Sequence, residues 1–410
     1  MDPSRGQTAG SAPTAGSQRI ELLDALRGLA LLGILLANIH YFSGWLFLDA
    51  EGRAAMAGPG LASIEWFLYQ MLIDGKFYTV FSFLFGIGFA LQLERLRRRP
   101  DRGIALYLRR LGALLLIGLV HLCLIWDGDI LALYALCGLL LLGVRDLGDR
   151  QLLWGAGLLI ASPILGWPLL RWLGIEPSFG LEPLAYAMWG ELTAGSSLGP
   201  VAWLAQPDWD ALWVWMQTGP VFRAAYLIES WRLPKVLGVM MLGLWAGRRL
   251  DRGLLTVRPL LKRIALIGLG LGLPANAVYA AIGGLHQEQM LTGILAQTVY
   301  ALGVVPLGLA YVALFAIAWQ RREKRLAWLA APGRMALSNY LAQSVICIAL
   351  FYGVGLGLIG QLDPSQFLLI ALAIFALQVA YSRHWLSRFR QGPMEALWRW
   401  ATYGSRATQR

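Results

Sequence analysis

Long apolar runs alternate with short polar breaks from residue 22 almost to the end of the chain, and ten runs approach the roughly 20 residues a helix needs to cross hydrocarbon. They predict spans near 22–45, 76–94, 106–126, 129–145, 151–172, 234–249, 259–282, 290–319, 336–357 and 366–386. The sixth is short, and the eighth is long enough to tilt or protrude. Residues 1–18, MDPSRGQTAGSAPTAGSQ, are small and polar with no apolar core, which predicts a disordered tail and not a cleaved signal peptide. The expected fold class is all-α: a polytopic integral membrane protein of about ten transmembrane helices, with its helical domain over 19–390 and a cytoplasmic tail over 391–410.

The breaks carry charge unequally. ERLRRRPDRG with Arg109 and Arg110, GRRLDRG with Arg258, Lys262 and Arg263, QRREKR, and the tail from Arg383 are basic, whereas WDGD, GGLHQEQM and GLIGQLDPS hold no arginine or lysine. Cytoplasmic loops retain such residues during insertion, so ten spans with both termini in the cytoplasm satisfy every loop. Composition agrees, since 57% of the 410 residues are hydrophobic and 14% charged, which argues against a pair of soluble domains. The net charge of +11 sits in the basic loops and therefore reports topology, with an anionic cytosolic ligand as a second use and no call for nucleic acid. Cys123, Cys137 and Cys347 lie in apolar runs without a CxxC pair, so neither a disulfide framework nor a structural zinc is expected.

The longest non-cytoplasmic connection, about 172–233, carries Trp172, Trp189, Trp203, Trp209, Trp213, Trp215 and Trp231 with few charges. Tryptophan favours the membrane interface, which predicts helices lying on the outer leaflet. A connection this long also suits a lid or an acceptor-binding wall over a site open to the outside.

Ionisable groups within spans cost on the order of 2.5–3.5 kcal/mol at the bilayer centre and so mark candidate chemistry. The run LIGLVHLCLIWDGDILALYAL, residues 117–137, places His121 near the outer end of the third span and Asp127 and Asp129 in the tight turn after it. A histidine beside a carboxylate can take a proton from a hydroxyl or amine near neutral pH, the carboxylate fixing the ring tautomer. In the plainer reading His121 bonds a neighbouring helix and Asp129 caps the fourth span, a role compatible with touching His121. One histidine with turn aspartates is too little for a metal ligand set.

RIELLDALRGLALLGILLANIHYF spaces Asp24 and Arg27 at i, i+3 near its cytoplasmic end and puts Asn38 and His40 near its outer end. IDGKFYTVFSFLFGIGFALQ sets Asp74 and Lys76 at the outer border, where Lys76 either snorkels to headgroups or holds an anionic intermediate, and offers Gly86 and Gly88 for close helix approach. APGRMALSNYLAQS brings Arg334, Ser338, Asn339, Tyr340, Gln343 and Ser344 to the cytoplasmic side of the ninth span. That is more polarity than a lipid-facing helix tolerates, so these groups line a cleft or cement the bundle, and Arg334 suits an anionic ligand.

Four ordered motifs then carry a resemblance. R-x-x-x-x-D-x-x-R-G-x-A-L-L-G-I-L-x-x-N (Arg19, Asp24, Arg27, Gly28, Asn38), GKFYTVFSFLFGIGFALQLER, H-x-x-x-I-W-x-GDIL-x-x-YA, and GRMALSNYLAQS with GPMEALWR together resemble the YeiB-like bacterial membrane proteins, long labelled a domain of unknown function, over about residues 19–403. The Asp24, Arg27, Asn38 pattern is also similar to that of lysosomal heparan-α-glucosaminide N-acetyltransferase, in a transmembrane acyltransferase superfamily with the acyltransferase-3 proteins. What this resemblance implies is transfer of an acyl group, typically acetyl, from cytosolic acyl-CoA to a hydroxyl or amine across the bacterial inner membrane. In the lysosomal enzyme the histidine follows the first-span asparagine. Here His40 lies only two residues after Asn38, a different spacing, so His121 is the preferred base and His40 the reserve. Asp129 would orient the base, Asn38 or Lys76 would steady the oxyanion, and coenzyme A would rest against Arg27 and Arg334 with Asn339 and Tyr340 nearby. The expected partners are membrane lipids, acyl-CoA and a periplasmic or lipid-linked acceptor, with a homodimer left open. The alternative is a secondary transporter or exporter in which the polar groups line a path and histidine relays protons, although no inverted repeat or broken-helix pair is evident.

Overall fold

The structure, a computed structural model, describes residues 15–97, 103–283 and 290–404, and among them it consists of helices joined by turns, with no strand. All ten apolar stretches are helical: α1 Ala15–Phe42, α2 Lys76–Arg97, α3 Gly103–Leu124, α4 Leu131–Gly143, α5 Asp149–Trp172, α6 Arg232–Gly247, α7 Arg258–Ala281, α8 Met290–Leu326, α9 Ala336–Phe351 and α10 Pro364–Arg388. Seven are long and apolar enough to cross a membrane, the second reckoned from Pro59 and the eighth from Leu291. The exceptions are α4, with 13 residues, and α6 and α9, with 16 each. α8 bends at Arg322, which leaves the helical region with φ −139° and ψ 33°, inside the basic QRREKR segment.

The short α6 owes its helicity to burial. Val236, Val239, Met240, Leu244 and Ala246 have no exposed surface, and the helix packs between α2 and α5 with α4 alongside. At about 1.5 Å per residue it spans about 24 Å, less than a bilayer core, and beyond Lys235 it is apolar on all sides, which suits an interior where protein replaces lipid. Glycine permits this packing. A Cβ on Gly86 would lie 2.1 Å from the Met240 carbonyl oxygen, and one on Gly243 would lie 2.2 Å from that of Phe83. Gly88 does not share the role expected of it, because its nearest neighbour would be Arg27 Nη2 at 3.9 Å.

Sequence reasoning placed no element between the first and second spans. The structure has helices at Ala50–Ala57 and Pro59–Leu68, the latter running through a π turn, Tyr69–Ile73, into Asp74 and the left-handed Gly75 (φ 81°) before α2. The Trp-rich connection folds into helices Leu181–Leu192, Pro200–Leu204 and Trp209–Glu229, the last packed on α3 and α6. The chain after Gly392 forms a further helix, α11 Pro393–Tyr403, docked on α3 and α9. There Glu395 accepts from the Leu337 and Ser338 N–H groups at 2.8 and 3.2 Å, which satisfies donors left open at the start of α9.

Candidate active site

Antiparallel helices gather chemistry at one end of the bundle: the C-terminal ends of α1 and α3 bring His40 and His121, and the N-terminal ends of α2 and α6 bring Lys76 and Arg232. Asp24, Arg27 and Arg334 belong to the opposite end, where Gly28 lets α1 pass against the Leu329 carbonyl and Gly333 lies against that of Asp24.

His121 is fully buried and hydrogen-bonded at both ring nitrogens. Nδ1 lies 2.8 Å from Asp129 Oδ2 and Nε2 lies 2.9 Å from Ser344 Oγ. A carboxylate beside Nδ1 favours the proton there, which leaves Nε2 free to accept the Ser344 O–H; the three groups then form one directed chain. Asp129 also accepts from the Ala132 N–H at 2.8 Å, so it starts α4 and holds His121 at once. The turn is clamped from the Trp-rich segment: Arg223 donates to the Asp129 carbonyl at 2.8 Å and to that of Gly128 at 3.2 Å, while Trp215 Nε1 reaches Asp127 Oδ1 at 3.4 Å. Tyr41 donates to the other oxygen of Asp127. Burial pushes the Asp127 carboxyl up, opposed by the bond from Tyr41 and the charge of Arg223. Helix Trp209–Glu229 therefore forms a wall over the turn.

The remaining candidates are distributed differently. Tyr340, expected near the nucleotide, packs against the His121 ring with centroids 5.2 Å apart, because it sits one helical turn before Ser344 on the same face of α9. Asn339 is tied to α10, its Nδ2 donating to Ser382 Oγ at 2.9 Å, and Gln343 bonds Gln378 Oε1 at 2.9 Å; these polar groups of the ninth span cement two helices. Lys76 does not snorkel: it is fully buried and donates to the Gln70 carbonyl at 2.5 Å. Asn38 is half-buried, and no hydrogen bond joins either Asn38 or Lys76 to the His121 chain among the described residues. Arg27 pairs with Asp24 at 2.5 Å. Arg334 is exposed, donates to the Arg390 carbonyl at 3.2 Å, and with Glu21 and Arg383 lines an open cleft of about 740 Å³.

His40, the reserve base, has its own partner. Nδ1 donates to the Leu36 carbonyl at 2.7 Å, and Nε2 lies 2.6 Å from Glu65 Oε1 beneath the Tyr69 ring. Glu65 lies on the unforeseen Pro59–Leu68 helix, and only the glutamate's acidic character in an apolar stretch, SIEWFLYQ, marked it in advance. Ser344 was visible as a polar residue of α9, but its contact with His121 joins positions 223 apart.

Comparison with known proteins identifies the group to which this architecture belongs. The family described as "Protein of unknown function (DUF418)" matches residues 252–405. The chain is 33% identical to the uncharacterized protein YxaH of Bacillus subtilis over 404 residues, covering 95% of this chain and 96% of the relative. It is 30% identical to the uncharacterized protein YeiB of Escherichia coli, with 94% and 96% covered. No solved structure matches the chain. These end-to-end matches carry the four motifs above beyond resemblance: the chain belongs to the DUF418 family of YeiB-like multi-pass membrane proteins.

Proposed function

We propose that this protein is a membrane acyltransferase of ten spans with both termini cytoplasmic, in which the Ser344, His121, Asp129 chain moves the proton. The observation that carries the reading is the buried sequence of two hydrogen bonds, 2.9 and 2.8 Å, from a hydroxyl through an imidazole to a carboxylate. That arrangement activates a hydroxyl nucleophile: His121 Nε2 takes the Ser344 proton as Oγ attacks the acyl carbon, and Asp129 holds the imidazolium. The leaving thiolate then takes that proton from His121. In the second half, Nε2 accepts the proton of an acceptor hydroxyl or amine as the acceptor atom attacks the acyl carbon, and the imidazolium gives that proton to Ser344 Oγ as the acyl–Oγ bond breaks. Ser344 lies midway along α9, between the Arg334 end and the His121 end, so a serine carrier shortens the reach demanded of a pantetheine arm.

Acyl-CoA is the co-substrate this reading needs. The exposed Arg334 and Arg383 beside the open cleft fit its phosphates, while Asn339 is spoken for by α10 and Arg27 by Asp24. The test is incubation of the purified chain with radiolabelled acetyl-CoA. Label on Ser344, lost in Ser344→Ala, together with coenzyme A release lost in His121→Ala, supports the proposal. Full transfer by Ser344→Ala would place the acceptor itself at Nε2, and unimpaired release by His121→Ala would overturn the reading. The buried His40–Glu65 pair favours the transporter alternative, for which proton-coupled flux in proteoliposomes, abolished by Glu65→Gln, is the deciding result.

A further inference from the structure

We infer that the N-terminal end of α6 is a binding site for a phosphate group. Three cations converge there. Arg232, Lys235 and Lys76 are 6%, 1% and 0% exposed. The carboxylate whose charge reaches all three is the half-buried Asp74. Lys76 has the Gln70 carbonyl, and Arg232 lies over the Tyr78 ring at 4.2 Å and donates to the Tyr226 hydroxyl. Among the described residues Lys235 has no hydrogen-bond acceptor: its Nζ is buried and lies 4.3 Å from the centre of the Tyr300 ring. A buried lysine amine with no acceptor is costly to charge, and an anion beside it relieves that cost.

The chemistry of the group selects the anion. With both lysines protonated, a guanidinium and two ammonium groups opposed by one carboxylate carry a formal surplus of two positive charges, so the group suits an anion that holds those protons in place, as phosphate oxygens do. Entry is short, because Tyr226, the hydroxyl partner of Arg232, is 37% exposed. Gly75 takes a left-handed φ of 81°, and a Cβ there would stand 2.6 Å from the Tyr300 hydroxyl, so the Asp74–Gly75–Lys76 turn presses against the tyrosine that Lys235 faces. This site holds whether or not His121 transfers an acyl group: Arg223 lies 5.4 Å over the Tyr226 ring, but among the described residues no hydrogen bond joins Arg232, Lys235 or Lys76 to His121, Asp129 or Ser344.

The experiment is thermal unfolding of the full chain in two arms. Inorganic phosphate is titrated against chloride at matched ionic strength in phosphatidylcholine nanodiscs, and nanodiscs containing phosphatidylglycerol are compared with phosphatidylcholine alone. Binding raises the melting temperature by several degrees once phosphate well exceeds its dissociation constant. A rise with inorganic phosphate identifies a free phosphate or phosphoester; a rise only with phosphatidylglycerol identifies a lipid headgroup. Lys235→Met and Arg232→Gln abolish the rise, Lys235→Arg keeps it, and the exposed Arg321→Ala leaves it unchanged. No rise in either arm, or an equal rise in Lys235→Met, overturns the site. If neither loss variant folds, phosphorus analysis of the purified wild-type chain decides: one phosphate per chain supports the site and none overturns it.

Discussion

At the scale of single residues, the sharpest case is Asp129, which does two things with two oxygens. Oδ1 caps α4 through Ala132, and Oδ2 holds His121 Nδ1. Asp129→Asn can keep the cap with its amide oxygen, but its NH₂ then faces Nδ1, which favours the proton on Nε2 and prevents acceptance from Ser344. On the acyltransfer reading, turnover falls on the order of 10²-fold or more while the melting temperature moves little, checked by coenzyme A release beside thermal unfolding. A melting temperature that collapses with activity would assign the pair to structure. A second residue-scale outcome concerns the outer segment, where burial and then the neighbouring Glu182 and Glu176 push the Glu229 carboxyl up to about 7. A raised carboxyl pKa favours the folded state while protonated, so its relative stabilisation is present below about 4.3, the unfolded value, and is lost as pH rises through 7. Glu229→Gln therefore melts higher than wild type at pH 8.5 and equally at pH 4, measured with a chelator present.

Elements were legible wherever long apolar periodicity spoke. Every one of the ten apolar runs is a helix, and the His121–Asp129 pair followed from a turn that joins residues only eight apart. Pro59–Leu68 was missed because it is 10 residues long and leads into a π turn and a glycine, too short and interrupted for a window of span length. With it went the partner of His40. Packing partners were equally hidden: Gly86 and Gly88 look alike in FGIGF, yet only one meets α6. This contrast is testable. Gly86→Ala drives a methyl into the Met240 carbonyl and costs about 1–3 kcal/mol, lowering the melting temperature. Gly88→Ala meets only an ordinary contact with Arg27 Nη2 at 3.9 Å and gains up to about 1 kcal/mol of helix propensity, so it melts at or above wild type. α11 gives a third contrast at this scale. Glu395→Ala removes acceptors from the Leu337 and Ser338 N–H groups and costs about 0.5–2 kcal/mol, whereas removing the residues after Gly404 leaves that cap in place.

For the whole molecule, everything functional turns on which end of the bundle faces which solution. His121, His40, Lys76 and Arg232 share one end because α1 and α3 bring their C-terminal ends there and the antiparallel α2 and α6 their N-terminal ends, and Arg27 and Arg334 share the other. The proposed direction follows from the basic breaks, which belong to the Arg334 end, as in cytoplasmic loops. Seven helices are long and apolar enough to cross; on the proposed ten-span reading α4, α6 and α9 are the ones whose crossing depends on neighbours, and α9 carries Ser344. If α9 failed to cross, the turn after it would stay on the side of Arg334. Gln361 lies in that turn and Arg321 near the end of α8, and both are exposed. In a chain with Cys123 replaced by serine, a cysteine at 361 is expected to react with a membrane-impermeant maleimide added to intact spheroplasts, and a cysteine at 321 only after lysis. The reverse pattern would put His121 in the cytoplasm and leave an external acceptor without a base. Labelling of both only after lysis would mean that α9 does not cross, and Ser344 would then lie too shallow to carry an acyl group between the two ends.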